Sequence, residues 1–300
     1  MGERAMTDEW EHWHRLLETH IAVLQVLELQ IARCGDLAVL PHIVTEIRDR
    51  KEKIAVLEAR LAAAAHTPMI LIPAGAFLMG SDPRRDKDAL DDEQPQHTLY
   101  LPDYYIAKTP VTNAQYAEFV REAGLVAPRY HWRKREPLPD ELEHPVVYVS
   151  WHDSMAYCNW LADITGKRYR LPSEAEWEKA ARGMDGRIYP WGSRWHPGWC
   201  NTSEGGLRGT TPVGRYPRGA SPYGLLDVAG NVWELCSSLY REYPYDASDG
   251  REDLGASGSR VMRGGSWRGN PRVARCAARN GRLPDSRSDY LGFRVVVSPI

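Results

Sequence analysis

Lysine and phenylalanine are scarce in this 300-residue chain: only 7 of the 38 basic residues are Lys, and only 3 residues are Phe, against 11 Trp and 15 Tyr. The chain relies instead on Arg, Trp and Tyr, which combine bulk with directed hydrogen bonds. Long apolar runs are absent. The best candidate, Ile21 to Ile31, is broken by Gln25, Glu28 and Gln30, short of the roughly 18 apolar residues a membrane helix needs. No basic stretch leading into an apolar core opens the sequence, which reads Met-Gly-Glu-Arg-Ala-Met-Thr-Asp-Glu-Trp, so a cytoplasmic protein without a membrane partner is expected. The five cysteines (Cys34, Cys158, Cys200, Cys236, Cys276) are odd in number, far apart and lack a Cys-x-x-Cys pair. That excludes a disulfide framework or a zinc ribbon and predicts buried free thiols. Neither charge sign dominates, and a net charge of -2 gives the whole chain no reason to bind nucleic acid. No repeat of roughly 20 to 50 residues appears, which argues against solenoids and propellers.

What remains, 43% hydrophobic and 26% charged residues, is the composition of a folded protein, with length for one large unit and an appendage. Glycine and proline mark the division. Residues 1–65 hold two Gly, one Pro and no Tyr or Phe, so nearly all the Gly and Pro lie beyond them. Trp13, Leu17, Ile21 (beside His20), Leu24, Leu27 and Ile31 recur at steps of three and four, and Leu40, Ile43, Ile47, Ile54, Leu57 and Leu61 repeat the rhythm. Cys34-Gly35-Asp36 supplies a stop and Pro41 a restart, which predicts an α-helical hairpin over 1–65. Two helices bury little, so the hairpin is expected to self-associate as a coiled coil, dock an effector or pack on the larger C-terminal unit.

From Met69 onward, short apolar runs such as Met69 to Ile72 and Tyr148-Val149-Ser150-Trp151 lie between Gly and Pro, a pattern of short strands and long ordered loops. Two helices stand out. One spans Asn113 to Ala123, with Tyr116, Phe119 and Val120 facing one way. The other opens at Pro172-Ser173-Glu174-Ala175-Glu176-Trp177, where Ser173 and Glu176 form a capping box. The fold class expected for 66–300 is α+β.

Eight segments occur in order: Ile72 to Ser81, Asp92-Glu93-Gln94-Pro95, Val111 to Tyr116, Val149-Ser150-Trp151, Tyr169 to Trp177, Gly230-Asn231-Val232-Trp233-Glu234, Arg263-Gly264-Gly265-Ser266-Trp267 and Leu291-Gly292-Phe293-Arg294. Together they resemble the formylglycine-generating enzyme (sulfatase-modifying factor) family over about 68–297. The resemblance implies an irregular domain with a C-type-lectin-like fold. Enzymes of that family oxidise a cysteine of a sulfatase with copper held by two cysteines just after the Gly-Gly-Ser motif. Here Trp267 to Arg275 contains no cysteine, and Cys276 resembles a position outside the copper pair, so no copper is expected, since Cu(I) needs soft thiolates. A second branch, the iron-dependent sulfoxide synthases, binds iron through helical histidines. His12, His14 and His20 lack that branch's His-x-x-x-His-x-Glu spacing.

Calcium takes hard oxygen ligands from a loop. In Asp227 to Glu234 two carboxylates flank a loop whose Gly lets a carbonyl turn inward, and the family resemblance implies calcium on the side chains of Asp227 and Glu234 and the carbonyls of Gly230 and Val232. The alternative is that both acids pair with nearby arginines. A second family site matches at Asn201 and Thr202, with its acidic ligand expected near Glu204 to Leu207.

Between Arg260 and Arg294 lie nine Arg and no Lys, against Asp285 and Asp289. Arg263, Arg279 and Arg294 occupy family motif positions and are expected to satisfy stray carbonyls. Trp267, Arg268, Asn270, Arg272, Arg275, Asn280, Arg282, Arg287, Asp289 and Tyr290 are expected to form a ligand surface, in which rigid aromatics and adaptable polar groups sit on a fixed scaffold. The segment 263–294 also resembles the mutable region of variable proteins of diversity-generating retroelements, which runs from a Gly-Gly-Ser-Trp motif to a closing Gly-Phe-Arg. The sequence therefore reads as a non-catalytic protein that binds a protein or small-molecule ligand. The alternative is an oxidoreductase related to formylglycine-generating enzyme acting on a cysteine or thiol substrate. Nucleic acid is a poor partner for it, because the basic segment lacks a recognition motif.

Overall fold

The computed structural model describes residues 2–34, 41–65, 68–123, 128, 132 and 136–298; within the two N-terminal helices, side chains are described over 15–31 and 41–57. Cys34, His12, His14, Trp13 and Leu61 therefore fall outside the described side chains, and Leu40 lies outside the described residues. The chain divides into two compact units, Met1–His66 with Asp163–Gly166, and Thr67–Ala162 with Lys167–Ile300.

In the first unit, helix α1 spans Gly2–Cys34 and helix α2 (Pro41–Ala65) has the proline as its first residue. Pro suits that position because the first helical N–H has no partner to lose. Helices α1 and α2 pack on each other; Leu17, Leu24 and Ile31 of the first and Ile43, Ile47 and Ile54 of the second are half-buried, and of the described apolar residues in these two series only Leu27 and Leu57 are buried. Lys51 meets Glu28 at 3.0 Å, and Arg50 reaches His20 Nδ1 at 2.7 Å. This core is as thin as two helices allow.

The second unit holds the short strands the Gly and Pro spacing implies. Strands β1 (Met69–Ile72), β4 (Tyr104–Ala107), β10 (Val296–Val297) and β5 (Tyr169–Arg170) form one antiparallel sheet in that order. Strands β2 (Gly75–Met79) and β3 (His97–Leu101) pair as a hairpin. A second sheet runs β8 (Arg279–Arg282), β7 (Arg260–Arg263), β6 (Trp233–Leu239), β9 (Leu291–Phe293), antiparallel except for the parallel pair β6 and β9. The C-terminal segment thus stitches both sheets together, with β9 in one and β10 between β4 and β5 in the other.

Helix α3 (Asn113–Ala123) has the expected bounds and buries Tyr116, Phe119 and Val120. Helix α5 (Glu174–Arg182) begins at the expected capping box: the Ser173 side chain accepts from the Glu176 amide while Glu176 reaches back to the Ser173 amide. Every residue of α5 is buried, including Glu174, Glu178, Lys179 and Arg182. Its Trp177 sits in the main core with Ile72, Tyr104, Ile106, Leu225, Val228, Val261 and Val296. One expectation is corrected. Tyr148 to Trp151 is not a strand: Tyr148 is left-handed (φ 59°), and Trp151 opens helix α4 (Trp151–Thr165). The Ser150 hydroxyl accepts from the Asp153 amide at 3.1 Å and Asp153 accepts from the Ser150 amide at 2.8 Å, a Ser-x-x-Asp start signal.

Candidate functional site

The arginine-rich segment has far less free positive charge than its sequence implies, because carboxylates arrive from elsewhere. Arg279 forks onto Glu174 with two 2.7 Å bonds and lies 4.1 Å from the Tyr243 ring. Arg263 meets Glu178 and two carbonyls, Ala277 and Cys276. Arg294 forks onto Glu234 at 2.5 and 2.7 Å. Outside the core, Arg272 pairs with Asp88 at 3.0 Å, Arg287 with Asp153 at 2.8 Å, and Arg268 with Asp289. Arg260 is held by four carbonyls and stacks over Trp151. Burial by itself pushes the Glu178 carboxyl up, but Arg263, Arg182 and the Gly80 amide outweigh it and hold the acid below its ordinary range.

Arg275, expected on the ligand surface, is 1% exposed. It forks onto Glu93 with two 2.6 Å bonds and reaches Asp86 at 2.8 Å, so it belongs to the interior. The side chains at the surface fall into separate groups. Trp267, Arg268, Arg282, Asp289 and Tyr290 converge: the Arg268 guanidinium lies 4.6 Å from the Trp267 ring and 5.8 Å from that of Tyr290, and the Trp267 indole N–H donates to the Asp289 carbonyl at 3.1 Å. Arg282 donates to the Tyr290 hydroxyl at 2.7 Å. The remaining polar residues are committed locally. Asn270 caps the short turn Pro271–Ala274, Asn280 takes the Gly281 amide, and Arg287 holds the 283–290 loop to the start of α4. Sequence reasoning missed Leu283, exposed beside Arg282, and the acids Asp88 and Asp153, which lie outside the segment. Only the oddity of a lone apolar residue between Arg282 and Pro284 marked the first.

The two calcium sequences, read apart, lie side by side. Asn201 forms a bridge to Gly230, the Asn231 amide donates to the Asn201 carbonyl at 2.8 Å, and a Cβ at Gly230 would stand 2.3 Å from that carbonyl oxygen. Only glycine permits this approach, at φ 76°. Asp227 is left-handed and buried; burial pushes its carboxyl up to about 6, opposed by the Gly214 amide, which donates to it at 2.6 Å. Glu234 already accepts from Arg294 twice and from the Trp177 indole at 2.7 Å, which leaves one acceptor position of the roughly four a carboxylate has. Val232 is buried, and the Thr202 carbonyl accepts from the Gly205 amide. Asn201 Oδ1 is buried without a partner, a hard oxygen of the kind calcium takes. No group of three or more His, Cys, Asp or Glu able to hold a metal occurs among the described residues, so a cation here would lean on amide and carbonyl oxygens. This loop supports the surface, since the Trp267 amide donates to the Asn231 carbonyl at 3.0 Å.

An irregular α+β domain with two small sheets and a hairpin, a buried Glu and Arg lattice and a buried Gly-Gly-Ser turn leading out to Trp267 defines the class: a formylglycine-generating-enzyme-like domain of C-type-lectin type. Residues 56–299 match the model of the sulfatase-modifying factor enzyme 1-like domain, and the chain belongs to that family. The match begins inside α2, earlier than the motifs alone place it. Mouse inactive C-alpha-formylglycine-generating enzyme 2 is 34% identical over 295 residues, covering 80% of this chain and 88% of the relative. The formylglycine-generating enzyme of Streptomyces coelicolor is 36% identical over 284 residues, covering 75% and 87%. In fold, the chain is similar to Treponema denticola variable protein 1, with a TM-score of 0.62 at 24% identity over 77% of this chain and 95% of that one. No helix among the described residues is long and apolar enough to cross a membrane.

The interior assignment of Arg275 is testable. Arg275→Leu leaves Glu93, itself inaccessible, without its cation, and the chain should lose about 3–5 kcal/mol of stability. Denaturant unfolding checks this; a loss near zero would return Arg275 to the surface set.

Proposed function

We propose that this protein is a non-catalytic binding protein whose C-terminal surface, built on Trp267, Arg268, Arg282, Asp289 and Tyr290, takes a protein or small-molecule ligand. In this reading the helical hairpin serves self-association or effector docking. The observation that carries it is the state of the cysteines. Thiol oxidation of the family kind needs two thiolates side by side. Cys158, Cys200, Cys236 and Cys276 are free and buried, and burial pushes every one of these thiols up, Cys200 and Cys276 to about 12. Such thiols stay protonated and unreactive at neutral pH.

The surface also has the composition of a binding hot spot, in which Trp, Tyr and Arg carry most of the energy. An unbiased displayed library of short linear peptides, selected on the full chain, should yield binders that weaken at least tenfold in Trp267→Ala, Arg268→Ala and Tyr290→Ala variants. Binders indifferent to all three, or an aldehyde formed on a cysteine peptide with copper and oxygen, would overturn the reading.

The paired loops are proposed to hold structural calcium on the Asp227 and Asn201 side chains and the carbonyls of Thr202, Gly230 and Val232, with the spare position of Glu234. The orphaned Asn201 Oδ1 supports this. Calcium at about a hundred times its Kd stabilises by about 2.7 kcal/mol, so EGTA should lower Tm by several degrees. An unchanged Tm in dialysed protein removes calcium from the account.

The finer reading, diversification by a retroelement, rests on the placement of 264–294. Sequencing related loci should then show adenine-directed substitutions confined to codons 267–290, beside a template repeat and a reverse transcriptase gene. Uniform codons there count against it.

A further inference from the structure

Arg282 stands apart from the other arginines of its segment. It has neither a carboxylate nor a set of carbonyls, and its one partner among the described residues is Tyr290. Because the Tyr290 oxygen accepts that bond, its own hydrogen remains for a ligand. Arg268, within 5.8 Å of the same ring, uses Asp289 and is still 54% exposed. At this end of the surface two guanidiniums meet one carboxylate, and the free groups of Arg282 and Tyr290 are donors.

The next residue, Leu283, is 66% exposed although its loop is pinned at every step. The Ser286 amide donates to the Leu283 carbonyl, the Trp151 amide to that of Pro284 and the Tyr148 amide to that of Ser288, each at 2.9 Å. Arg287 ties the same loop to Asp153. A fixed apolar side chain therefore stands in water one position along the chain from an arginine with no counter-charge among the described residues.

We propose that this corner binds an acidic, partly apolar peptide segment of another protein. One Asp or Glu side chain lies on Arg282, Tyr290 and Arg268, and a neighbouring aliphatic or aromatic side chain covers Leu283. The inference rests on the surface being a ligand site and names its partner. Charge complementarity selects the carboxylate, which a guanidinium binds bidentately. Leu283 selects a peptide over a free oxyanion, which has nothing apolar to place there. Asp285 sets direction: its carboxylate is 88% exposed and lies 3.8 Å from His152 at the α4 end, so a second acid placed there meets like charge.

The same peptide selection tests this through the composition of its binders. Enriched sequences should place Asp or Glu next to Leu, Ile or Phe. Arg282→Gln should weaken them about ten- to a hundredfold, the loss expected for a charge-assisted hydrogen bond. Leu283→Ser should weaken them several-fold, added salt should weaken them further, and both variants should keep the parental Tm. Binders without an acid, binders unaffected by Arg282→Gln, or binders that require a phosphate group would overturn the proposal. The failures are separable. Binders lost in Trp267→Ala but not in Arg282→Gln leave the surface standing and remove the acidic partner, whereas a selection with no binders removes both.

Discussion

Four carboxylates sit where water cannot reach them, and the domain is organised around neutralising them. Glu174 and Glu178 lie on α5, Glu234 on β6 and Glu93 in the turn before β3; each has an arginine from the C-terminal segment, Arg279, Arg263, Arg294 and Arg275 in turn, and Glu178 has Arg182 of its own helix as well. An unpaired buried carboxylate costs several kcal/mol, so each pair compels two segments distant in sequence to meet in one register. The pairs say little about net stability, since apolar residues of equal volume would serve as well. Their value is specificity: the short strands have few ladder bonds with which to fix their own neighbours. Arginine suits these sites better than lysine, because a point-like ammonium cannot fork onto a carboxylate and bond carbonyls from the same plane. The one lysine buried in α5, Lys179, holds only the carbonyls of Pro73 and Gly75, and burial lowers its pKa.

The segment that neutralises the core also forms the surface. Along this segment, the buried Arg263, Arg275, Arg279 and Arg294 flank the more exposed Arg268, Arg272, Arg282 and Arg287, so the loops bearing Trp267 and Tyr290 are anchored at both ends by interior ion pairs. Side chains on such loops lose little freedom on binding, and their sequence is free to vary without touching the lattice below. That separation between anchored positions and displayed ones is what a binding scaffold needs.

Much of the architecture was legible in the sequence. Helix starts at Pro41 and Asn113 and the box at Ser173 arise from local chemistry that tertiary contacts did not override. Helix α4 was hidden because its start signal, Ser150 to Asp153, sits inside an apolar run that also fits a strand. The site was less legible for a physical reason. Charge counted along the segment between Arg260 and Arg294 gave a large positive excess, but the counter-charges Glu93 and Asp153 lie 182 and 134 positions from the arginines they meet and are invisible to any local count. Arg275 differs from Arg272 only by where the short turn between them points it, which composition cannot show.

The stretch that replaces the family's copper loop is packed rather than merely lacking cysteine. A Cβ on Gly269 would stand 2.3 Å from a Val273 methyl, and one on Gly265 would stand 2.6 Å from the Val273 carbonyl oxygen. Ala274 is buried with Cys200 and Ala229 beneath Trp191 and Trp195, and Arg275 is spent on Glu93 and Asp86. A side chain at Gly265 or Gly269 would therefore require this turn to open. The packing of this turn thus constrains its residues, whereas the exposed Arg268 and Leu283 project away from it and are the positions a binding surface can vary.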